Sequence, residues 1–226
     1  MKTHNCHVLR GFFDYIRLAM EFLNERISFP KVSKASREGL LAVGGDLSPE
    51  RLLHAYSKGI FPWFEEGEPI LWWSPDPRFV LFPKNLKVSK SMKQLFNQNK
   101  FNVTINKRFR DVITNCAKVY RDGQRGTWIT PDMISAYEKL HLAGYATSVE
   151  VWEKKQLVGG LYGINLKNGM FCGESMFTLE SNASKYGFIH FVQHSDFKII
   201  DCQIHSKHLE SLGAGHIARE AFLTYL

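Results

Sequence analysis

Between residues 147 and 204 the chain carries four short apolar segments: TSVEVWE, LVGGLYGIN, GMFCGESMF and KIIDCQI. Segments of this length, rich in β-branched and aromatic residues, are read as strands, so this half of the chain is committed to a sheet. A buried sheet tolerates little charge. Yet GMFCGESMF carries Glu174 in its middle, and KIIDCQI carries Asp201. An unpaired buried carboxylate costs on the order of several kcal/mol, so each of these positions demands a partner or a ligand.

Helical patterns surround the strands. Ser48-Pro49-Glu50 opens a helix, with Ser48 as cap and Pro49 at its first position, and Gly59 stops it. Further helices are expected over 89–96, 109–120 and 131–143 (the last capped by Thr130), over 183–194, and from 218 onward. RFVLF and FNVTIN read as strands, and IFPWF and ILWWSPDP as aromatic loops punctuated by proline. This mixture implies an α/β or α+β domain on a central sheet, residues 78–226, preceded by a small N-terminal domain, 1–77. Residues 1–19 form an extension that suggests no element, and Met20 is an alternative start.

The 226 residues, 44% hydrophobic, suffice for a real core. The net charge of +7 is unevenly spread. Residues 77–110 hold Arg78, Lys84, Lys87, Lys90, Lys93, Lys100, Lys107, Arg108 and Arg110 with no Asp or Glu, which suggests a face for a polyanion. Cys6, Cys116, Cys172 and Cys202 lack metal-ligand spacing, and Cys6 beside His4 and His7 reads as tail. Neither zinc nor a disulfide framework is expected. No run reaches the length of a membrane span and the N-terminus lacks a signal-peptide core, so a cytoplasmic protein is expected.

With a period of two, Ile200, Cys202 and Ile204 share one face of their strand and Asp201 and Gln203 the other; Glu174 falls with Cys172 and Met176. If the two strands are neighbours, two carboxylates and an amide converge on a pocket walled by Phe and Met. Trp63, Trp72, Trp73 and Trp128 lie in loop-like segments, where tryptophans serve either as core plugs or as stacking platforms for bases.

Seven stretches in order, GLLAVGGDLSPERLLHAYSKGIFPWF, ILWWSPDPR, GTWIT, LVGGLYG, FCGESMF, NASK and IDCQ, resemble the leucyl/phenylalanyl-tRNA–protein transferases across residues 29–213. The resemblance implies a GNAT (N-acetyltransferase-like) domain behind a small N-terminal one, with no cofactor and no metal. It implies transfer of Leu or Phe, less well Met, from aminoacyl-tRNA to proteins with N-terminal Arg or Lys, which marks them for N-degron degradation. By the same resemblance Trp63, Trp128 and Tyr137 hold the terminal adenosine. Leu161, Phe171, Met176, Phe191 and Ile200 line the side-chain pocket, Glu174 is a site glutamate, and Asp201 and Gln203 are the catalytic pair. Leu161 replaces a Met found in some members, and LGAGHIAREAFLTYL lacks a Cys-Glu and Pro seen in others.

An aminoacyl ester is already activated, and an α-amino group with a pKa of about 7.7–8 is partly neutral near pH 7, so positioning does most of the work. The expectation is that Asp201 orients Gln203 on the attacking amine, and that Glu174 stays unpaired until the aminoacyl ammonium arrives. Two rivals remain. An acetyl-CoA N-acetyltransferase needs a phosphate-binding turn, and the nearest match, Gln156-Leu-Val-Gly159-Gly-Leu161, reads as strand. A non-catalytic RNA-binding module explains the basic residues but not Glu174, Asp201 and Gln203.

Overall fold

The protein, represented by a computed structural model, is described over residues 21–119 and 127–226; the expectations for residues 1–19, Met20 and Tyr120 lie outside them. Two sheets organise the chain. In the smaller, β1 (Glu21–Leu23), β2 (Leu40–Gly44), β3 (Phe61–Pro62) and β4 (Leu71–Trp73) lie in the order β1-β2-β4-β3, and α1 (Pro49–Tyr56) intervenes between β2 and β3. Ser48 caps α1 by accepting from the Arg51 backbone N–H, and Gly59 follows it at φ +72°.

The larger sheet has seven strands in the order β11-β5-β10-β9-β8-β7-β6. These are β5 (Arg78–Leu81), β6 (Asn102–Ile105), β7 (Ala146–Glu153), β8 (Gln156–Asn165), β9 (Met170–Thr178), β10 (Ile199–Gln203) and β11 (Gly215–Ile217). Among the described residues of this sheet only β9 and β10 pair in parallel, Ile200 opposite Phe171 and Asp201 opposite Cys172. Parallel neighbours need a crossover, and α5 (Ala183–Gln193) supplies it. The remaining helices are α2 (Lys90–Asn97), α3 (Phe109–Lys118), α4 (Pro131–Leu142), α6 (Lys207–Ser211) and α7 (Arg219–Leu223).

Each face of the large sheet has its own core. On one, Val80, Tyr162, Cys172, Phe177 and Ile199 pack with Tyr56 of α1, Val112 and Ile113 of α3, and Met133 and Tyr137 of α4. On the other, Phe79, Leu161, Phe171, Ile200 and Cys202 pack with Phe188, Ile189 and Val192 of α5. The expected central-sheet α/β architecture is therefore present.

The stretches expected as aromatic loops contain β3 and β4. Strands of two and three residues are too short for a period of two to register; they form because Leu40–Gly44 offers β4 an edge and β4 offers one to β3. Trp72 is fully buried, and its Nε1 donates to the Gly44 carbonyl at 2.8 Å, which makes it a core plug.

Two bulges interrupt the large sheet next to one another. Tyr162 pairs with Ser175 but Gly163 pairs with Gly173, so Glu174 is the extra residue of β9. Asp201 pairs with Val80 and Gln203 with Phe79, so Cys202 is the extra residue of β10. Bulges bend a strand and re-aim its side chains. Gly163 is required beside the first one, since a Cβ there would lie 2.2 Å from the Cys172 carbonyl oxygen.

Candidate active site

Glu174 is half-buried and already has three donors within the protein. Its Oε1 accepts from the Tyr56 hydroxyl at 2.7 Å and from Gln203 Nε2 at 2.7 Å, and its Oε2 accepts from the Tyr137 hydroxyl at 3.0 Å. The two tyrosine hydroxyls also touch each other through a short hydrogen bond. Tyr56 ends α1 and Tyr137 lies in the middle of α4, so three elements from distant parts of the chain converge on one carboxylate. The expectation that Glu174 waits unpaired for a ligand is thus corrected.

Its face needed correction too. Beyond the bulge the alternation of β9 inverts: Cys172 belongs to the core beneath α3 and α4, whereas Met176 packs against the α5 core. Glu174 points toward the first of these, where both tyrosines lie. Loss of solvation pushes its carboxyl up to about 7, and the hydrogen bonds from Tyr56, Tyr137 and Gln203 restrain the rise. Burial, followed by the charge of Glu174, drives both tyrosine hydroxyls well above their usual value.

Asp201 is 1% exposed and bound to Arg78, itself 1% exposed. Arg78 Nε donates to Oδ1 at 2.8 Å and Nη2 to Oδ2 at 2.7 Å; Nη1 donates to the Gly59 carbonyl at 3.1 Å. The guanidinium lies between the rings of Phe61 and Phe222, at 4.8 and 4.6 Å. Sequence counting placed Arg78 on a polyanion-binding face; it is instead a buried counter-ion, while the other eight basic residues of 77–110 are exposed. Asp201 Oδ1 also accepts from the Gln203 backbone N–H at 2.9 Å. That bond holds Gln203 at φ +64°, a conformation few side-chain-bearing residues adopt, and so fixes where its amide points.

These groups open onto a cavity of about 470 Å³, within the size range of small-molecule sites. Of the residues singled out in the sequence, Trp63, Trp128, Leu161, Phe171, Glu174, Met176, Ile200, Asp201 and Gln203 line it. Tyr137 lies behind Glu174, and Phe191 lies behind Phe171, ring centroids 4.8 Å apart. The sequence missed Tyr56, Arg78, Phe61, Phe188 and the wall formed by Ile204, His205, Ser206, His208 and Leu209. Arg78 left one signal, a charge opening the apolar run RFVLF; Tyr56 left none.

The arrangement suits a substrate with a flat ring for Trp63 and Trp128, an apolar group for Leu161, Phe171, Met176 and Ile200, and a polar reacting centre at Glu174 and Gln203. Gln156–Asn165 is strand throughout, paired with β7 and β9, so no phosphate-binding turn forms there.

A family model described as leucyl/phenylalanyl-tRNA protein transferase matches residues 80–226, and one for the N-terminal domain of the same family matches residues 45–76. A leucyl/phenylalanyl-tRNA–protein transferase of Christiangramia forsetii is 59% identical over 211 residues, covering 92% of this chain and 100% of the relative. One from Flavobacterium johnsoniae is 55% identical over 210 residues, covering 92% and 99%. Among solved structures, a GCN5-related N-acetyltransferase from Kribbella flavida overlaps 73% of this chain and 59% of its own at 10% identity and a TM-score of 0.36.

Proposed function

The chain belongs to the leucyl/phenylalanyl-tRNA protein transferase family, and from that premise we propose that it moves Leu or Phe from aminoacyl-tRNA onto proteins with an N-terminal Arg or Lys. Met is the poorer donor residue, and the acceptors are thereby marked for degradation. The observation that carries the reading is the cavity itself, which joins two tryptophans, an apolar wall and the polar pair Glu174 and Gln203 in one continuous space.

The terminal adenosine stacks on Trp63 and Trp128, and the aminoacyl side chain enters among Leu161, Phe171, Met176 and Ile200. That places the ester carbonyl near Gln203. Gln203 Nε2 donates to Glu174, and the amide oxygen is the acceptor that aligns the incoming amine. Asp201 acts at one remove. Its two oxygens are held by Arg78, and it sets the Gln203 backbone rather than accepting the proton. Holding amine and carbonyl at about 3–3.5 Å is the main catalytic contribution expected of such a site.

The test is transfer of labelled leucine from leucyl-tRNA to a peptide beginning with Arg, beside the same peptide N-acetylated and beside acetyl-CoA as donor. Labelling of the free Arg peptide alone supports the reading. Acetyl transfer, or no transfer with the wild-type chain, overturns it.

A further inference from the structure

The contacts around Glu174 form a closed circuit: Oε1 to the Tyr56 hydroxyl, that hydroxyl to Tyr137, and Tyr137 back to Oε2. Three oxygen–oxygen contacts need three protons, and two hydroxyls own two. With Glu174 ionised, both hydroxyls donate to the carboxylate and the Tyr56–Tyr137 contact sets lone pair against lone pair. With Glu174 protonated, the third proton completes the circuit: one carboxyl oxygen donates, the other accepts, and each hydroxyl does both. Gln203 Nε2 donates to Oε1 from outside the ring in either state. The circuit is therefore built to hold one more proton than the ionised carboxylate brings.

We propose that the Glu174–Tyr56–Tyr137 ring is a proton store, and that Glu174 takes the proton the attacking amine must shed. The inference rests on the transfer reading above. The amine lone pair forms the new C–N bond at the ester carbonyl, and one N–H proton passes to Glu174. The C–O bond to the ribose then breaks, and the stored proton leaves with the ribose oxygen. The balance needs no further reactant.

Among the cavity's other groups, His205 is bound to Glu210 at 3.1 Å, and burial, with Lys185, pushes His208 below its usual value. Asp201 is committed to Arg78, and Arg78 to Asp201 and the Gly59 carbonyl. Cys172, on β9 itself, is pushed well above its usual value by burial and by Asp201, and both tyrosines are pushed far from neutrality in the same direction. Glu174, pushed up to about 7, lies close to an α-amino group at about 7.7–8, so the proton passes between near-equals.

Two measurements test this. In the wild-type protein labelled with ¹³C-glutamate, the carboxyl signal absent from Glu174→Gln should titrate near pH 7. In single-turnover transfer of leucine, Glu174→Gln should be slower by about 10²-fold or more and lose the part of the acidic limb set near pH 7, keeping only the part set by protonation of the attacking amine. The Gln amide can donate where the stored proton stood, so this variant keeps the ring filled and the fold intact. Titration of Glu174 at an ordinary carboxylate value, or an unchanged rate and pH profile in Glu174→Gln, overturns the proton store. Either outcome leaves transfer by the wild-type chain standing, whereas absent wild-type transfer sinks the underlying reading instead.

Discussion

Arg78 and Asp201, 123 residues apart in the chain, are joined by two parallel hydrogen bonds at 2.8 and 2.7 Å in a site where both are almost wholly buried. The pair ties the first strand of the large sheet to the strand that carries Gln203. Through the Gly59 carbonyl and the rings of Phe61 and Phe222, it also reaches the segment after α1 and the C-terminal helix.

A pair of this kind is costly to break and cheap to replace. Arg78→Met or Asp201→Leu alone strands a buried charge, and each should lower unfolding stability by about 3–5 kcal/mol. The double variant, apolar on both sides, should recover most of that loss. It leaves the Gln203 N–H without its acceptor, however, so transfer should stay at least roughly tenfold down, the expected cost of a misplaced aligning group. Urea titration and single-turnover transfer on the three variants check both halves.

Stability should also depend on Glu174. Its carboxyl is raised in the folded protein, from 4.5 to about 7, so the neutral form favours folding. That contribution is complete below about pH 4.5 and is lost as pH rises through about 7. For this half-buried group the loss should not exceed roughly 2 kcal/mol. Glu174→Gln, always neutral, should match the wild type at pH 4.5 and exceed it at pH 8. The comparison of urea midpoints at the two pH values reads it directly.

How far the sequence disclosed this site follows from the range of its signals. Helix starts at Ser48 and Thr130 were legible because capping is local, and each cap bond is present. The run of strands was legible because period two survives within a strand. The faces were not, because a bulge depends on the partner strand; inserting Glu174 turned Met176 to the far side of the sheet. Arg78 was misread for a related reason. Its charge was visible, but its counter-ion comes from β10, and nothing in the neighbourhood of Pro77 announces it. Tyr56 and Tyr137, 81 residues apart, meet only because α1 and α4 cover the same face.

Donor preference should respond to the apolar wall. Met176 faces Leu161 across β8 and β9 and is half-buried, so Met176→Ala enlarges the pocket at modest cost to the fold. Leucine, the smaller group, should lose more contact than phenylalanine. The Phe-to-Leu ratio of kcat/KM should rise by about 5- to 30-fold, the span expected when a pocket changes by one or a few carbons.

The exposed lysines of the β5–α2 region should act on tRNA and not on the reaction centre. Lys100, Arg108 and Arg110 are engaged with Glu153, Asp111 and Glu138. Among the described residues, no ion pair joins Lys87, Lys90 or Lys93 to a carboxylate, so their charge is available to phosphates. Replacing these three with Ala should reduce the slope of log affinity against log salt by about 0.7–0.9 for each lysine that contacts a phosphate. Use of a short aminoacyl-adenosine donor, which lacks the tRNA backbone, should be unchanged. Equal loss with both donors would show that the lysines support the cavity and not the tRNA, because only the longer donor reaches beyond Trp63 and Trp128.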